Sequence, residues 1–292
     1  MTDPAALTPP EAVRRFAVAV DQQYRLIGPM TGGETGATAV AAPDGRKQVL
    51  KWELDSENQI RRREGVILAE RLRAEAGWPA PAQRVVDDDG CLFVVQEFMA
   101  GGEVTEFTHG FVDDLLALHE RRLGLGRPGE PNRWADDLIE ALVHGGNGYC
   151  LHEPLRTHDH RTRRIVEWIE EIGRSLRPTD LAGADIVHGD LHAGNLLQVG
   201  GRLAAVLDLD YTRLGDAAFD LTMLAVTSLG LAVERGVRSR LFEAGVHSLS
   251  EPRRSAYVGN LLLRCLDWPI RKGRTDEVEF WLTHADRLLT PR

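Results

Sequence analysis

The stretch His188-Gly189-Asp190-Leu191-His192-Ala193-Gly194-Asn195-Leu196-Leu197, followed by Val206-Leu207-Asp208-Leu209-Asp210, decides how this chain is read. Residues 186–188 read as a short strand. Residues 195–199, the Gly200-Gly201 turn and residues 203–210 read as a hairpin. With a two-residue turn, Asn195 opposes Val206 and Asp208 opposes position 193. Asn195 and Asp208 then become diagonal neighbours on one face, roughly 7–8 Å apart at Cα. An amide oxygen and carboxylate oxygens so placed suit Mg²⁺, with phosphate oxygens and water completing an octahedron. Asp190 lies on the loop leading into the hairpin. A base, an amide ligand and an acidic ligand, in that order, are the parts of a phosphoryl-transfer site.

Working outward, Thr8-Pro9-Pro10-Glu11 reads as a helix start, with Thr8 as N-cap and Glu11 at the capping-box position, the helix running to about residue 20. Residues 24–27, 37–42 and 48–52 read as strands, with an Asp44-Gly45 hairpin turn before the last. The glycine-rich segment 28–36 therefore joins two strands, not a strand and a helix. Residues 57–76 read as a charged amphipathic helix with Ile60, Ile67, Leu68 and Leu72 on or near one stripe, ended by Gly77-Trp78-Pro79. Residues 84–86 and 92–98 read as another hairpin. Beyond Gly101-Gly102 the pattern is mostly helical: 111–122, 135–144, 159–176, 217–233 and further segments to the C-terminus. A boundary near 98–103 divides the chain into 1–98 and 99–292.

The 292 residues predict about two domains or one bilobed unit. Hydrophobic residues at 43% and charged residues at 27% exclude a disordered, collagen-like or coiled-coil chain. The longest weakly polar stretch, 221–233, is too short and too polar to span a bilayer, and the first residues show no signal-peptide pattern. Cys91, Cys150 and Cys265 are far apart and form no CxxC pair, which argues against a disulfide framework or zinc ribbon and for a reducing cytoplasm. The net charge of −9 disfavours nucleic acid as the main partner and favours a cationic ligand. Lys47, Lys51 and Lys272 are the only lysines, so each position is conspicuous.

The HGDxxxxN pattern with an Asp on the next strand resembles the aminoglycoside phosphotransferase family, relatives of choline kinase and the protein kinases. Gly32-Gly33-Glu34-Thr35-Gly36 resembles that family's nucleotide-covering loop, and Val49-Leu50-Lys51-Trp52 the strand with the phosphate-contacting lysine. Arg63-Glu64, heading residues 65–72, resembles the helix whose glutamate pairs with that lysine. Leu115-Leu116-Ala117-Leu118-His119 resembles the helix after the hinge. Gly215-Asp216-Ala217-Ala218-Phe219-Asp220-Leu221 resembles the GDPxxDL stretch, with Ala217 in place of proline.

The resemblance implies an α+β, bilobed, protein-kinase-like fold: a small β-rich N-lobe over 1–98, a larger helical C-lobe over 99–292, and nucleotide in the cleft. It implies an enzyme that moves the γ-phosphoryl group of ATP or GTP to a hydroxyl of a small molecule. Asp190 would orient that hydroxyl and accept its proton. Asn195 and Asp208 would hold Mg²⁺. Lys51 would contact the phosphates, steered by Glu64. Gly32, Gly33, Thr35 and Gly36 would cover the nucleotide, and the backbone of Gln96, Glu97 and Phe98 would bind the base. Gly189 stands where protein kinases carry arginine, which argues against control by activation-loop phosphorylation.

Other residues have plainer readings. His188 reads as a packed, hydrogen-bonded histidine and His192 as loop scaffolding. Asp210 is either a further metal ligand or satisfied at the strand end. A Rossmann dehydrogenase lacks its GxGxxG, and a P-loop NTPase lacks its GxxxxGK[ST]. A metal-dependent phosphoesterase shares Gly189-Asp190-Leu191-His192 but not the upstream DxH or downstream GNH. The late residues Asp267, Asp276, Glu277 and Glu279 read mostly as a solvated face, with one or more of them as candidates to bind acceptor amines, and the acidic balance favours a cationic antibiotic acceptor, an aminoglycoside or basic peptide. A metabolic kinase with a homoserine- or choline-like acceptor is the alternative. No nucleic-acid or membrane partner is expected.

Overall fold

The computed structural model describes residues 7–30 and 37–289. The chain forms two compact units. The first takes the chain up to Thr105 together with Gly110–Arg122 and His188–Arg213. The second takes Glu106–His109, Leu123–Val187 and the chain from Leu214 onward.

In the first unit, α1 (Pro9–Ala19) starts at Thr8, whose backbone N–H donates to the Glu11 carboxylate, 3.0 Å. A five-stranded antiparallel sheet follows, built from β1 (Arg25–Pro29), β2 (Thr38–Ala41), β3 (Lys47–Glu53), β4 (Gln83–Asp88) and β5 (Cys91–Glu97), in the order β1-β2-β3-β5-β4. Ala12, Val13 and Phe16 of α1 pack on Val40, Leu50, Phe93 and Val95 to form its core. Strand alternation places Leu50 in that core and turns Lys51 to the opposite face.

Helix α2 (Ser56–Ala76) is capped by Asp55 and stopped by Gly77 in the left-handed region, φ +62°. The expected apolar stripe is corrected here. Leu68 and Leu72 are buried, but Ile60 and Ile67 are 59% and 62% exposed. The buried face is made by Arg62, Gly65, Val66, Ala69, Leu72 and Ala76, because the helix approaches another backbone at Gly65.

A small sheet completes this unit. After β6 (Gly102–Glu103), the strands β7 (Glu106–Phe107) and β8 (Asp185–Val187) belong to the second unit. Then β9 (Leu196–Val199) and β10 (Arg202–Val206) form the expected hairpin, with order β10-β9-β6. Compared with a division after residue 98, two later segments join the first unit. The Val206 N–H donates to the Pro79 carbonyl, 2.9 Å, and the Trp78 indole N–H to the Leu118 carbonyl, 3.2 Å. Asp114 of α3 (His109–Arg122) accepts from the Arg202 guanidinium, 2.8 Å, and the Leu203 N–H, 3.1 Å.

The second unit is mainly helical: α4 (Trp134–His144), α5 (His152–His158), α6 (His160–Ser175), α7 (Ala218–Thr227), α8 (Val237–Phe242), α9 (Glu251–Arg271) and α10 (Thr275–Leu289), with β11 (Arg213–Gly215) entering it and β12 (Ala232–Val233) pairing parallel to β7. Trp134, Phe219 and Tyr257 meet edge to face at its centre. The helix expected over 217–233 ends at Thr227 in a 3₁₀ turn, and the chain turns extended into β12. Among the described residues no helix is long and apolar enough to cross a membrane.

Candidate active site

The site grows from the loop between β8 and β9. His188 is buried, and both of its ring nitrogens are engaged. The Asp190 N–H donates to Nδ1, 3.2 Å, so Nε2 carries the proton and donates to the Leu207 carbonyl, 2.7 Å. The Leu207 N–H in turn donates to the Asn195 carbonyl, 2.8 Å. One backbone residue thus ties the Asp190 loop to the segment carrying Asp208.

The register differs from the expected one. Val199 opposes Arg202 and Gln198 opposes Leu203, but a bulge between Leu203 and Ala205 shifts the rest, so that Leu196 faces Val206. Asn195 closes a 3₁₀ turn, Ala193–Asn195, and β10 ends at Val206. Asp208 lies past the strand with φ +58°, a left-handed conformation that aspartate tolerates better than most residues. Asn195 and Asp208 are therefore not strand neighbours, and the bond from the Leu207 N–H to the Asn195 carbonyl is what links their segments.

Asp190 is half-exposed, and its Oδ2 accepts from Asn195 Nδ2, 3.2 Å, with His192 Nε2 at 3.5 Å. Asn195 Nδ2 also donates to the Asp190 carbonyl, 2.9 Å. That bond commits the amide nitrogen to the Asp190 loop. The Gly194 N–H donates to His192 Nδ1, 3.1 Å, so His192 serves the loop as scaffold. Gly189 sits at φ +81°, where an arginine side chain would carry backbone strain.

Lys51 is buried and donates to Asp208 Oδ1, 2.7 Å, and Asp210 Oδ2, 2.9 Å. Burial works against its charge, but Asp210 and then Asp208 outweigh it and hold the ammonium above the ordinary lysine range. Burial likewise opposes ionisation of Asp208, and Lys51 overcomes it, holding the carboxyl below the usual range.

Glu64 does not take the expected part. It is exposed on α2, and the α2 side chain that enters the cluster is Arg62, buried, 3.3 Å from Asp210 Oδ2 and 3.5 Å from Glu53 Oε2. The reason is helix rotation: Gly65 faces inward, which carries Arg62 with it and turns Glu64 out. Nothing in the Arg61-Arg62-Arg63 run singled out Arg62, whereas the Asp208-Leu209-Asp210 alternation did mark Asp210.

At the far end of β5, Gln96 opposes Gln83, on the same sheet face as Lys51. Gln96 Oε1 is buried without a hydrogen-bond partner. The Glu97 N–H donates to the Ala82 carbonyl, 2.9 Å, and the Phe98 ring stacks under Lys47 Nζ at 3.7 Å. Gly32, Gly33, Thr35 and Gly36 lie outside the described residues.

The donors fit a hard divalent cation: one oriented amide oxygen and a carboxylate, beside a lysine suited to phosphate. Among the described residues no group of three or more His, Cys, Asp or Glu could hold a metal ion, so a cation here would need Asn195 and ligands from outside the chain. His152 is committed to Glu170, 3.1 Å, and the Ala141 carbonyl, 3.1 Å.

A family model described as the phosphotransferase enzyme family (APH) matches residues 37–256. The chain belongs to this family of phosphotransferases. The phosphotransferase has no match among curated proteins. Its fold is that of solved relatives. A thermostable variant of the aminoglycoside phosphotransferase APH(4)-Ia, crystallised with ADP and hygromycin B, is 17% identical, with a TM-score of 0.63 over 90% of this chain and 92% of that one. The gentamicin complex of APH(2")-IIa is 14% identical, TM-score 0.60, over 98% of each chain. A putative fructosamine-3-kinase from Haemophilus somnus 129PT is 14% identical, TM-score 0.59, over 95% of this chain and 96% of that one.

In the second unit of the phosphotransferase, Ala217 uses the N–H that a proline would lack: it donates to Asp185 Oδ2, 3.0 Å. The four late acidic residues do not form one solvated face. Asp267 is buried and holds Arg271 at 2.7 and 2.9 Å, and Glu279 holds Arg161 at 2.6 and 2.9 Å. Glu277 lies 3.4 Å from Arg274, and Asp276 is exposed. Helical i,i+4 pairing accounts for Asp267: Arg271 sits one turn on and neutralises it.

Proposed function

We propose that the protein is an Mg²⁺-dependent O-phosphotransferase, using ATP or GTP, whose acceptor is a cationic small molecule of the antibiotic class. The observation that carries this is the convergence of Asp190, Asn195, Asp208 and Lys51 through the Leu207 bridge. In this reading Asp190 accepts the acceptor hydroxyl's proton, with its carboxylate steadied by Asn195 Nδ2. Lys51 meets the nucleotide phosphates. Asn195 and Asp208 hold the metal ion, which neutralises charge on the transferring group. Gln96 and the backbone through Phe98 receive the base. Catalysis then comes mainly from positioning and charge neutralisation.

The net charge of −9 and two relatives whose partners are hygromycin B and gentamicin support a cationic acceptor. The likeness to a putative fructosamine kinase supports a second reading, a metabolic kinase acting on an amine-bearing sugar or a homoserine- or choline-like acceptor. A cytoplasmic site of action suits either. A screen of aminoglycosides, basic peptide antibiotics, amino sugars and small metabolites, each with ATP and GTP, separates them by mass spectrometry. The product gains ~80 Da, the mass of the transferred group. Phosphorylation of a cationic antibiotic supports the first reading. Phosphorylation of an amine-bearing metabolite alone replaces it with the second.

A further inference from the structure

We propose that Asp210 is the resident counterion of Lys51, tied to α2 by Arg62, and that it keeps the lysine in place when Asp208 gives its carboxylate to the metal ion. The inference rests on the phosphotransfer reading and assigns a positioning role to two residues that reading leaves idle.

Lys51 has two carboxylate partners at nearly equal distance, 2.7 and 2.9 Å. They differ in exposure: the Asp208 side chain is 41% exposed and that of Asp210 is 2%. A metal ion arriving from solvent reaches Asp208. An ion that takes Asp208 Oδ1 takes the oxygen that Lys51 bonds, and a buried ammonium without a carboxylate is strongly disfavoured. Asp210 is sealed from solvent and can stay.

What keeps Asp210 in turn is Arg62. The same oxygen that accepts from Lys51, Oδ2, lies 3.3 Å from Arg62 Nη1. With Glu53 also 3.5 Å from Arg62, the cluster holds two cations, Lys51 and Arg62, among three carboxylates, Asp208, Asp210 and Glu53. The link from α2 to Lys51 therefore runs cation to anion to cation, because α2 turns Glu64 outward. The close approach of Gly65 to the Asp210 backbone makes the link short.

The rival role for Asp210 is direct ligation, since its Oδ1 is buried without a hydrogen-bond partner. A double-mutant cycle separates the two. Mn²⁺ affinity is measured by EPR on the full chain with AMP-PNP, for the wild type, Asp210→Asn, Lys51→Met and the double variant. With Asp210 neutral, Asp208 is the only carboxylate left to Lys51, which then competes with the ion for it. Asp210→Asn should therefore weaken Mn²⁺ binding about tenfold with Lys51 present and leave it unchanged in the Lys51→Met background. Equal loss in both backgrounds makes Asp210 a ligand and overturns the proposal, as does no loss in either. A wild type that binds no Mn²⁺ with AMP-PNP overturns the phosphotransfer reading itself. Should Asp210→Asn fail to fold, a crystal structure of the wild type with Mg²⁺ and AMP-PNP decides. Lys51 Nζ should remain within hydrogen-bond distance of Asp210 after leaving Asp208, and loss of the Asp210 contact overturns the proposal.

Discussion

Gly65 of α2 lies against the backbone of Asp210 so closely that a Cβ on it would stand 2.2 Å from the Asp210 carbonyl oxygen. Backbone cannot give way as a flexible side chain does. Gly65→Ala should therefore cost ~1–3 kcal/mol of stability by overpacking. It should also loosen the Arg62–Asp210–Lys51 link and weaken nucleotide binding. Urea denaturation and titration with a fluorescent ATP analogue measure the two effects, and an alanine variant as stable as wild type would show that the helix can shift.

Asp190 carries the proposed general base. Asp190→Ala should lower kcat by at least ~10²-fold, the usual scale for losing a positioned base. Nucleotide affinity should change little, because Lys51 and Asp208 are untouched. Turnover near the wild-type rate would remove Asp190 from the mechanism.

The metal assignment predicts different responses from its two ligands. Asp208→Asn should abolish Mg²⁺-dependent turnover, since it removes the anionic ligand and one partner of Lys51. Asn195→Ala should be partly rescued by excess Mg²⁺, because Asp208 and the nucleotide still hold the ion. Steady-state rates across a magnesium titration report both, and an unchanged magnesium dependence in Asp208→Asn would contradict the assignment.

A cationic acceptor should bind more weakly as salt rises, because screening shortens the Debye length from ~10 Å at 0.1 M to ~3 Å at 1 M. Acceptor KM, measured at saturating nucleotide and Mg²⁺, should increase with ionic strength. Asp276 and Glu277 are the pair to neutralise: Asp276 is exposed, and the 3.4 Å contact of Glu277 to Arg274 is longer than those holding Asp267 and Glu279 to their arginines. Their joint replacement by Asn and Gln should raise KM more than it lowers kcat. A neutral or anionic best acceptor would refute the charge argument and leave the kinase assignment standing.

Asp159 caps α6, accepting from the Arg161 N–H at 2.8 Å and the Thr162 N–H at 2.9 Å. Partial burial opposes its charge, but the Thr162 N–H and Arg161 outweigh it and hold the carboxyl at about 2. A folded value below the unfolded one stabilises above the unfolded pKa, and that contribution is lost as pH falls through the folded one. Asp159→Ala should cost ~0.5–2 kcal/mol at neutral pH. The gap from wild type should narrow between about pH 4 and pH 2. Denaturation curves at pH 7 and at pH 3 check this, and a gap independent of pH would assign the cost to packing.

The element order around the site is legible in the residues themselves, because each part depends on local chemistry. Thr8 and Glu11 cap α1, Gly77 stops α2, and Gly200-Gly201 turns the β9–β10 hairpin. The residue types needed for phosphoryl transfer were legible in the same way, from Lys51 on a strand and Asp190, Asn195 and Asp208 in fixed order. Tertiary structure decided what depends on contacts between distant segments. The bulge near Ala205 undid the simple register, since a turn sets pairing only until an extra residue intervenes. The rotation of α2 came from the fit of Gly65 against Asp210, and that contact put Arg62 beside the lysine's counterion and Glu64 in solvent. Helical periodicity specifies that one face is buried. Which face it is follows from the backbone it must approach, and the local sequence carries no record of that partner.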